Sequence, residues 1–438
     1  MSFKQNKKYQ TKIASQAAGD EDIYSLNKHV LGPGALAESE WVEAGLVSPN
    51  MTSIREYRLQ RVRDKLIEFD CAGILLYDPV NIRYAIDSTN MSAWTSHNAA
   101  RYALVMAQGP VIIFEFEGNE FLSNHNPLIT EVRTAITYLY FIAGEFSKRK
   151  AKIWAKEIAE IVAQYGNGNK RLALDHCAPE GVHQLEEQGL ELANGEEVME
   201  LARLIKSEEE IVAMRCSIFA CEKSIELMRS HCEPGITEQK LWSYFQMEAV
   251  SRGAEWIETR LLAAGPRANP WYHECSSRPI QNGELIGFDT DLVGTYGYCT
   301  DISRTWMCGD KSASSAQKEI YQLVLFAQKA AIEKVKAENF FDDPHKEALK
   351  IIVDGLIDLD ILIGSRDEVY EKELYKNYIE NKDFIKIKSG NTNAVDYMIN
   401  YKCFEKIKTD KLQSVLILED DFNFTLDKED LFKKINIC

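Results

Sequence analysis

The sequence predicts an α/β domain, then an α+β domain, then a tail of different character. Three observations carry this expectation. Helix-like and strand-like segments alternate from Thr52 to about Glu200. A long apolar stripe begins after Leu201 and gives way to strands after Gly253. The amino-acid vocabulary then changes abruptly near residue 337.

In the first domain, Ile54 to Glu68 reads as a mixed-charge helix with Leu59, Val62 and Leu66 on one face. It leads into a short apolar strand, Cys71 to Tyr77, closed by Asp78-Pro79. Two further β-like runs lie between Arg101 and Phe116, with Gln108-Gly109-Pro110 as the turn between them. Lys150 to Tyr165 is a second amphipathic helix and Arg171 to Asp175 another strand. In the second domain, Ile211, Met214, Ile218, Cys221, Ile225 and Met228 form one stripe on a long helix. Pro234-Gly235 ends it, Thr237 can cap the next helix, and Leu241, Trp242 and Phe245 form that helix's buried face.

Of 438 residues, 45% are hydrophobic, 27% charged and 10% aromatic, which is a globular composition. With 51 basic and 67 acidic residues the net charge is −16, which argues against a nucleic-acid or anionic-membrane binder. The polar start and the lack of a run of roughly 18 apolar residues predict a soluble, cytoplasmic protein. The ten cysteines contain no C-x-x-C pair and read as reduced thiols. Before residue 337 there are 19 Lys and 17 Arg; from Ala337 onward there are 14 Lys and 1 Arg, and all seven tryptophans precede it. The expected divisions are an extension (1–50), the α/β domain (51–200), the α+β domain (201–336) and the tail (337–438).

The most informative stretch runs from Glu284 to Trp306. Strand side chains alternate faces, so Asp289 and Asp291 point the same way. Gly294 and Gly297 supply a turn centred near residue 296, which places Asp291 opposite roughly Asp301, with cross-strand Cβ atoms about 5 Å apart. Three carboxylates gathered among Ile286, Phe288, Leu292 and Ile302 need protons or a cation to offset their repulsion. Hard oxygen donors suit a divalent metal, and bridging carboxylates suit two of them. The competing expectation is a solvated acidic hairpin.

The string from Asp289 through Gly297-Tyr-Cys-Thr-Asp301-Ile-Ser-Arg304-Thr resembles the metal-binding hairpin of the pita-bread superfamily, which includes methionine aminopeptidase, prolidase, aminopeptidase P and creatinase. Arg203-Leu-Ile-Lys206-Ser-Glu-Glu-Glu-Ile211 resembles the segment opening that catalytic domain, and Pro234-Gly-Ile-Thr-Glu238 its second-helix entry. The preceding α/β domain resembles the creatinase-type N-terminal domain. Within the superfamily, residues 20 to 336 are similar to the metal-dependent dimethylsulfoniopropionate (DMSP) lyases. Asp78-Pro-Val-Asn-Ile-Arg-Tyr84, Asp87-Ser-Thr-Asn-Met91, Gly253-Ala-Glu-Trp-Ile-Glu-Thr-Arg260 and Gly265-Pro-Arg-Ala-Asn-Pro-Trp271 carry this likeness. The acids Asp289, Asp291 and Asp301 have the lyase spacing, and Trp271 stands where peptidases of this type place a proton-handling histidine, with His273 nearby.

The resemblance implies β-elimination of DMSP to dimethyl sulfide and acrylate at a binuclear divalent metal centre (iron, with zinc or manganese as alternatives), held by Asp289, Asp291 and Asp301. It also implies a homodimer. Aromatic faces suit a sulfonium cation, and Tyr84, Trp94 and Trp271 are the candidates. The superfamily's later ligands, a His and two Glu, have no recognisable counterpart here; the one His beyond residue 301 is His345. The pita-bread domain is therefore expected to be truncated, and no residue is assigned as general base. The tail string Lys402-Cys-Phe-Glu-Lys-Ile-Lys with Ser414-Val-Leu-Ile-Leu-Glu419-Asp420-Asp421 resembles a fragment of lipopolysaccharide/procollagen-galactosyltransferase-type glycosyltransferases, an unrelated α/β piece. Two alternatives stand beside the lyase: an Xaa-Pro metallopeptidase or creatinase-like hydrolase, and a non-catalytic chimeric or truncated homologue.

Overall fold

The computed structural model describes residues 32–123, 126–269, 272–336, 339–340 and 343–361. It divides into two units, residues 1–216 with 295–298, and residues 217–294 with 299–438. In the first unit, the Asn50 side chain accepts hydrogen bonds from the amides of Thr52 and Ser53 and so starts helix Met51–Glu68. Leu59, Val62 and Leu66 of that helix are buried, as their spacing predicts. The chain continues into β1 (Gly73–Leu76). Asp78-Pro79 does more than end that strand. Asp78 accepts from the amide of Asn81 at 2.9 Å and proline occupies the first helical position, so helix Pro79–Ile86 begins there.

Five further strands join β1: β2 (Tyr102–Met106), β3 (Val111–Glu115), β4 (Glu131–Thr134), β5 (Arg171–Leu174) and β6 (Glu191–Asn194). Their order is β4-β3-β2-β1-β5-β6, antiparallel from β1 through β3 and parallel at both flanks. The sheet is buried on both faces, and the pleat sorts its side chains. Ile74, Leu76, Ala103, Val105, Val111 and Ile113 join helix Met51–Glu68 in one core. Leu75, Tyr102, Leu104, Met106, Ile112 and Phe114 join helix Ser147–Tyr165 in the other. Gly195, opening helix Gly195–Arg203, lies so close to β5 that a Cβ there would stand 2.5 Å from the carbonyl carbon of Leu174. Arg101 and Glu115 form a buried two-pronged ion pair, with both N–O distances 2.9 Å.

In the second unit, Thr237 caps helix Glu238–Ser251 as expected, accepting from the Lys240 amide. The strands are β7 (Trp256–Ile257), β8 (Leu262–Ala264), β9 (Leu285–Phe288), β10 (Asp291–Val293), β11 (Cys299–Asp301) and β12 (Arg304–Met307). They make two three-stranded antiparallel ladders, β11-β10-β7 and β12-β9-β8. Ile286, Phe288, Leu292, Trp306 and Cys308 pack against Leu241, Trp242 and Phe245, which makes this unit helices on one face of a sheet. Beyond it, Ser314 and Gln317 form a reciprocal cap for helix Ser315–Lys334. Helix Asp343–Asp358 packs on it, with Gly355 against Leu323 and Lys334 paired to Glu347 at 3.2 Å. The galactosyltransferase-like string at residues 402–421 lies outside the described residues. Among the described residues every cysteine is a free thiol, and no helix is long and apolar enough to cross a membrane.

Candidate metal-binding hairpin

The acids stand on a continuous antiparallel ribbon. Asp291 faces Asp301 in β10–β11, and three residues further out on each side Phe288 faces Arg304 in β9–β12, so the two ladders share one register. The Ile302 amide donates to the Thr290 carbonyl across the junction at 3.3 Å. The register is the one a turn centred near residue 296 requires. Gly297 takes a left-handed φ of 73°, but its partner in that conformation is Tyr296, with φ 66°, and not Gly294.

Alternation then fixes the faces. Phe288, Thr290, Leu292 and Thr300 point into the helix-covered core and are fully or nearly fully buried. Asp289, Asp291, Asp301 and Ser303 share the opposite face. Asp289 is only 2% exposed, while Asp291 and Asp301 are half-buried. Ser303 Oγ donates to Asp289 Oδ1 at 2.7 Å, and Thr259 Oγ1 donates to Asp291 Oδ2 at 2.6 Å. Among the described residues no Lys, Arg or His forms an ion pair with Asp289 or Asp291. A nearly sealed carboxylate with only a neutral hydroxyl donor lacks a counter-charge, and hard oxygen donors suit a divalent cation. These oxygen donors are of the kind a divalent cation takes, but among the described residues the three acids are not gathered into a group that could hold one.

The donor set is partial. Among the described residues no three His, Cys, Asp or Glu side chains form a group that could hold a metal ion. The structure pairs Asp291 with Asp301 and sets Asp289 on the same face, but among the described residues it does not bring the three acids together into a group that could hold a metal ion. His345 sits in the first turn of helix Asp343–Asp358. Burial pushes the Cys221 and Cys308 thiols up to about 12, so neither offers a thiolate.

Two of the aromatic candidates lie in the first unit. Tyr84, in the first unit, is a core residue whose hydroxyl donates to the Ala202 carbonyl at 2.9 Å; the Arg58 guanidinium lies 5.1 Å from its ring centroid. Burial drives its phenol well above the ordinary range. Trp94, also in the first unit, is half-buried with its ring 5.6 Å from Phe116. Trp271 lies outside the described residues. His273 Nδ1 is 2.7 Å from the Arg267 carbonyl, which assigns the proton to that nitrogen.

The model of metallopeptidase family M24 matches residues 212–400, a span that contains the whole acidic ribbon and runs past the change of composition at 337. A dimethylsulfoniopropionate lyase DddP of Roseovarius nubinhibens is 44% identical over 297 residues, which is 67% of each chain. The chain belongs to family M24. Another DddP, from Roseobacter denitrificans, is 43% identical to this M24 protein over 298 residues, again 67% of each. A probable Xaa-Pro aminopeptidase of Metarhizium acridum is 28% identical over 174 residues, 40% of this chain and 34% of its own. Among solved structures, the prolidase of Pyrococcus horikoshii matches with a TM-score of 0.54 at 20% identity over 68% of this chain and 77% of that one, a likeness of fold. The M24 fold is thus the pita-bread fold anticipated from the hairpin.

Proposed function

We propose that this M24 chain is a metal-dependent lyase that cleaves DMSP to dimethyl sulfide and acrylate. The observation that carries the reading is the unequal likeness to two kinds of relative: 44% identity over 297 residues to a DMSP lyase, against 28% over 174 residues to a peptidase. Asp289, Asp291 and Asp301 would hold the cation, with iron as the first choice, zinc or manganese as alternatives, and two ions as the expected number. Bound there, a divalent cation supplies positive charge for the substrate carboxylate and for the negative charge that develops when the neighbouring carbon loses its proton. The chain's own part is to hold the acids in register on a ribbon whose other face is fixed by Phe288, Leu292 and Trp306. In the elimination, the α-proton leaves to a base, the carbon–sulfur bond breaks, and its electron pair departs with dimethyl sulfide. Tyr84, Trp94 and Trp271 are the aromatic residues proposed for the sulfonium. A homodimer in the cytoplasm is the proposed working form.

The test is incubation of the purified chain with DMSP and iron(II), zinc or manganese, with headspace dimethyl sulfide as readout. Release above a chain-free blank supports the reading; none with any metal rejects it. The peptidase relatives favour one second reading, an Xaa-Pro hydrolase, which cleavage of an Xaa-Pro dipeptide in place of DMSP would establish.

A further inference from the structure

Two cysteines of the second unit meet where helix Glu208–Ser230 hands over to the sheet. Cys232 lies in the turn after that helix, its amide donating to the Arg229 carbonyl at 3.1 Å, and it is half-buried. Cys308 follows β12 and is completely buried. The backbone fixes both positions. The Cys308 amide donates to the Glu284 carbonyl at 2.9 Å, and the Cys308 carbonyl accepts from the Gly283 amide at 2.8 Å. The Gly235 amide donates to the Ile280 carbonyl at 2.8 Å, so one short segment, 280–284, ties the chain just beyond Cys232 to the chain at Cys308. These two stretches touch: a Cβ at Gly309 would lie 3.1 Å from Cγ of Pro234. Both cysteines pack in one apolar cluster with Leu241, Trp242 and Trp306. The two thiols hydrogen-bond to each other, and burial holds both above the ordinary thiol range, with Cys308 pushed up to about 12. Side chains in direct contact from adjoining chain segments meet the main geometric demand of a disulfide.

We propose that Cys232 and Cys308 form a redox modification site, at which a low-molecular-weight disulfide converts the thiol pair into an intramolecular bond that staples the end of helix Glu208–Ser230 to the end of β12. The Cys232 sulfur attacks one sulfur of the small disulfide, whose S–S bond breaks, and the other half leaves as a thiol with the Cys232 proton. The Cys308 sulfur then attacks Cys232 Sγ, the mixed disulfide breaks, and the second small thiol leaves with the Cys308 proton. Two electrons pass from the protein sulfurs to the small disulfide. Burial sets the order, because solvent reaches Cys232 and not Cys308. Thiols held above their ordinary range exchange slowly, so the site answers sustained oxidation. The bond closes a loop of 308 − 232 = 76 residues and thereby restricts the unfolded chain. Neither a metal nor the lyase reading enters this inference.

The experiment uses the full chain, reduced and desalted, then incubated with glutathione disulfide in mildly alkaline buffer, alkylated, digested and weighed by mass spectrometry. The expected product joins the Cys232 and Cys308 peptides with loss of two hydrogens, and dithiothreitol reverses it. Cys221, fully buried in the same cluster, should stay unmodified and so report that the chain remained folded. Cys308→Ser should trap glutathione on Cys232, and Cys232→Ser should leave Cys308 untouched. Oxidised wild type should melt about 5–10 °C above reduced wild type, with no rise in either serine variant. The wild-type cross-link decides the pairing even where a serine variant folds poorly. Glutathione that stays on Cys232 of wild type, a Cys232 joined to another cysteine, or an unmodified Cys232 overturns the proposal. Modification of Cys221 alongside the cross-link overturns it too, because the bond would then have formed in an opened chain. A Cys232–Cys308 bond that leaves melting unchanged or lowers it overturns the staple.

Discussion

Replacing Asp291 with asparagine should change the sign of its effect on stability according to whether a cation is present. Asp291 and Asp301 face each other directly, and side chains so placed lie about 5 Å apart. Two unit charges at that distance repel by about 3 kcal/mol at an effective dielectric of ~20. Both groups are half-buried, so water and salt reduce this to about 1 kcal/mol. Asparagine keeps an oxygen for the Thr259 hydroxyl and removes the charge. In EDTA, Asp291→Asn should therefore be more stable than wild type by about 1 kcal/mol, read from urea unfolding. With Mn²⁺ at a hundred times the wild-type dissociation constant, wild type should gain about 2.7 kcal/mol by binding, and the variant should gain much less. The order of the two proteins then reverses. A variant that is less stable in EDTA, or that gains as much from Mn²⁺ as wild type, would refute the idea that the ribbon stores like-charge repulsion for a cation to relieve.

Four further outcomes follow from other contacts. Thr290 is fully buried and its hydroxyl has no hydrogen-bond partner among the described residues, so Thr290→Val should raise stability by about 1 kcal/mol without altering Mn²⁺ affinity. Glu115→Leu strands the Arg101 guanidinium in the first unit's core and should cost about 3–5 kcal/mol in urea unfolding, most of it recovered by adding Arg101→Met. Gly195→Ala forces a Cβ onto the Leu174 backbone and should lower the urea midpoint by the equivalent of about 1–3 kcal/mol. Arg278 hydrogen bonds hold the Glu284 carboxyl below its ordinary 4.5. A depressed folded value means the pair stabilises above about pH 4.5 and loses this as pH falls through the folded value, so Glu284→Gln should flatten the acid limb of a stability–pH curve.

Much of the ribbon was legible from the residues. Two-residue alternation and a glycine-bearing turn suffice to set Asp291 opposite Asp301, because both are local consequences of strand geometry. The Leu59, Val62 and Leu66 face and the Thr237 cap were readable for the same reason. The Ser303 hydrogen bond to Asp289 was within reach too, since Ser303 lies two residues beyond Asp301, between β11 and β12 on the same arm of the ribbon. Thr259 was not. Asp78-Pro79 also carried two meanings, strand end and helix start, and the amide of Asn81 decides between them.

By itself, the sequence determined which residues alternate, where chains turn, and that three acids share one face of a hairpin. Only the tertiary structure decided that Thr259 and Arg260 both stand against Thr290, that Asp289 is nearly sealed from water, and that the three acids do not close into a group that could hold a metal ion among the described residues. The physical reason is that alternation is a property of one strand's covalent geometry. A bulge is a mismatch between two strands some 30 residues apart, and burial depends on everything packed around them; neither exists until the segments meet.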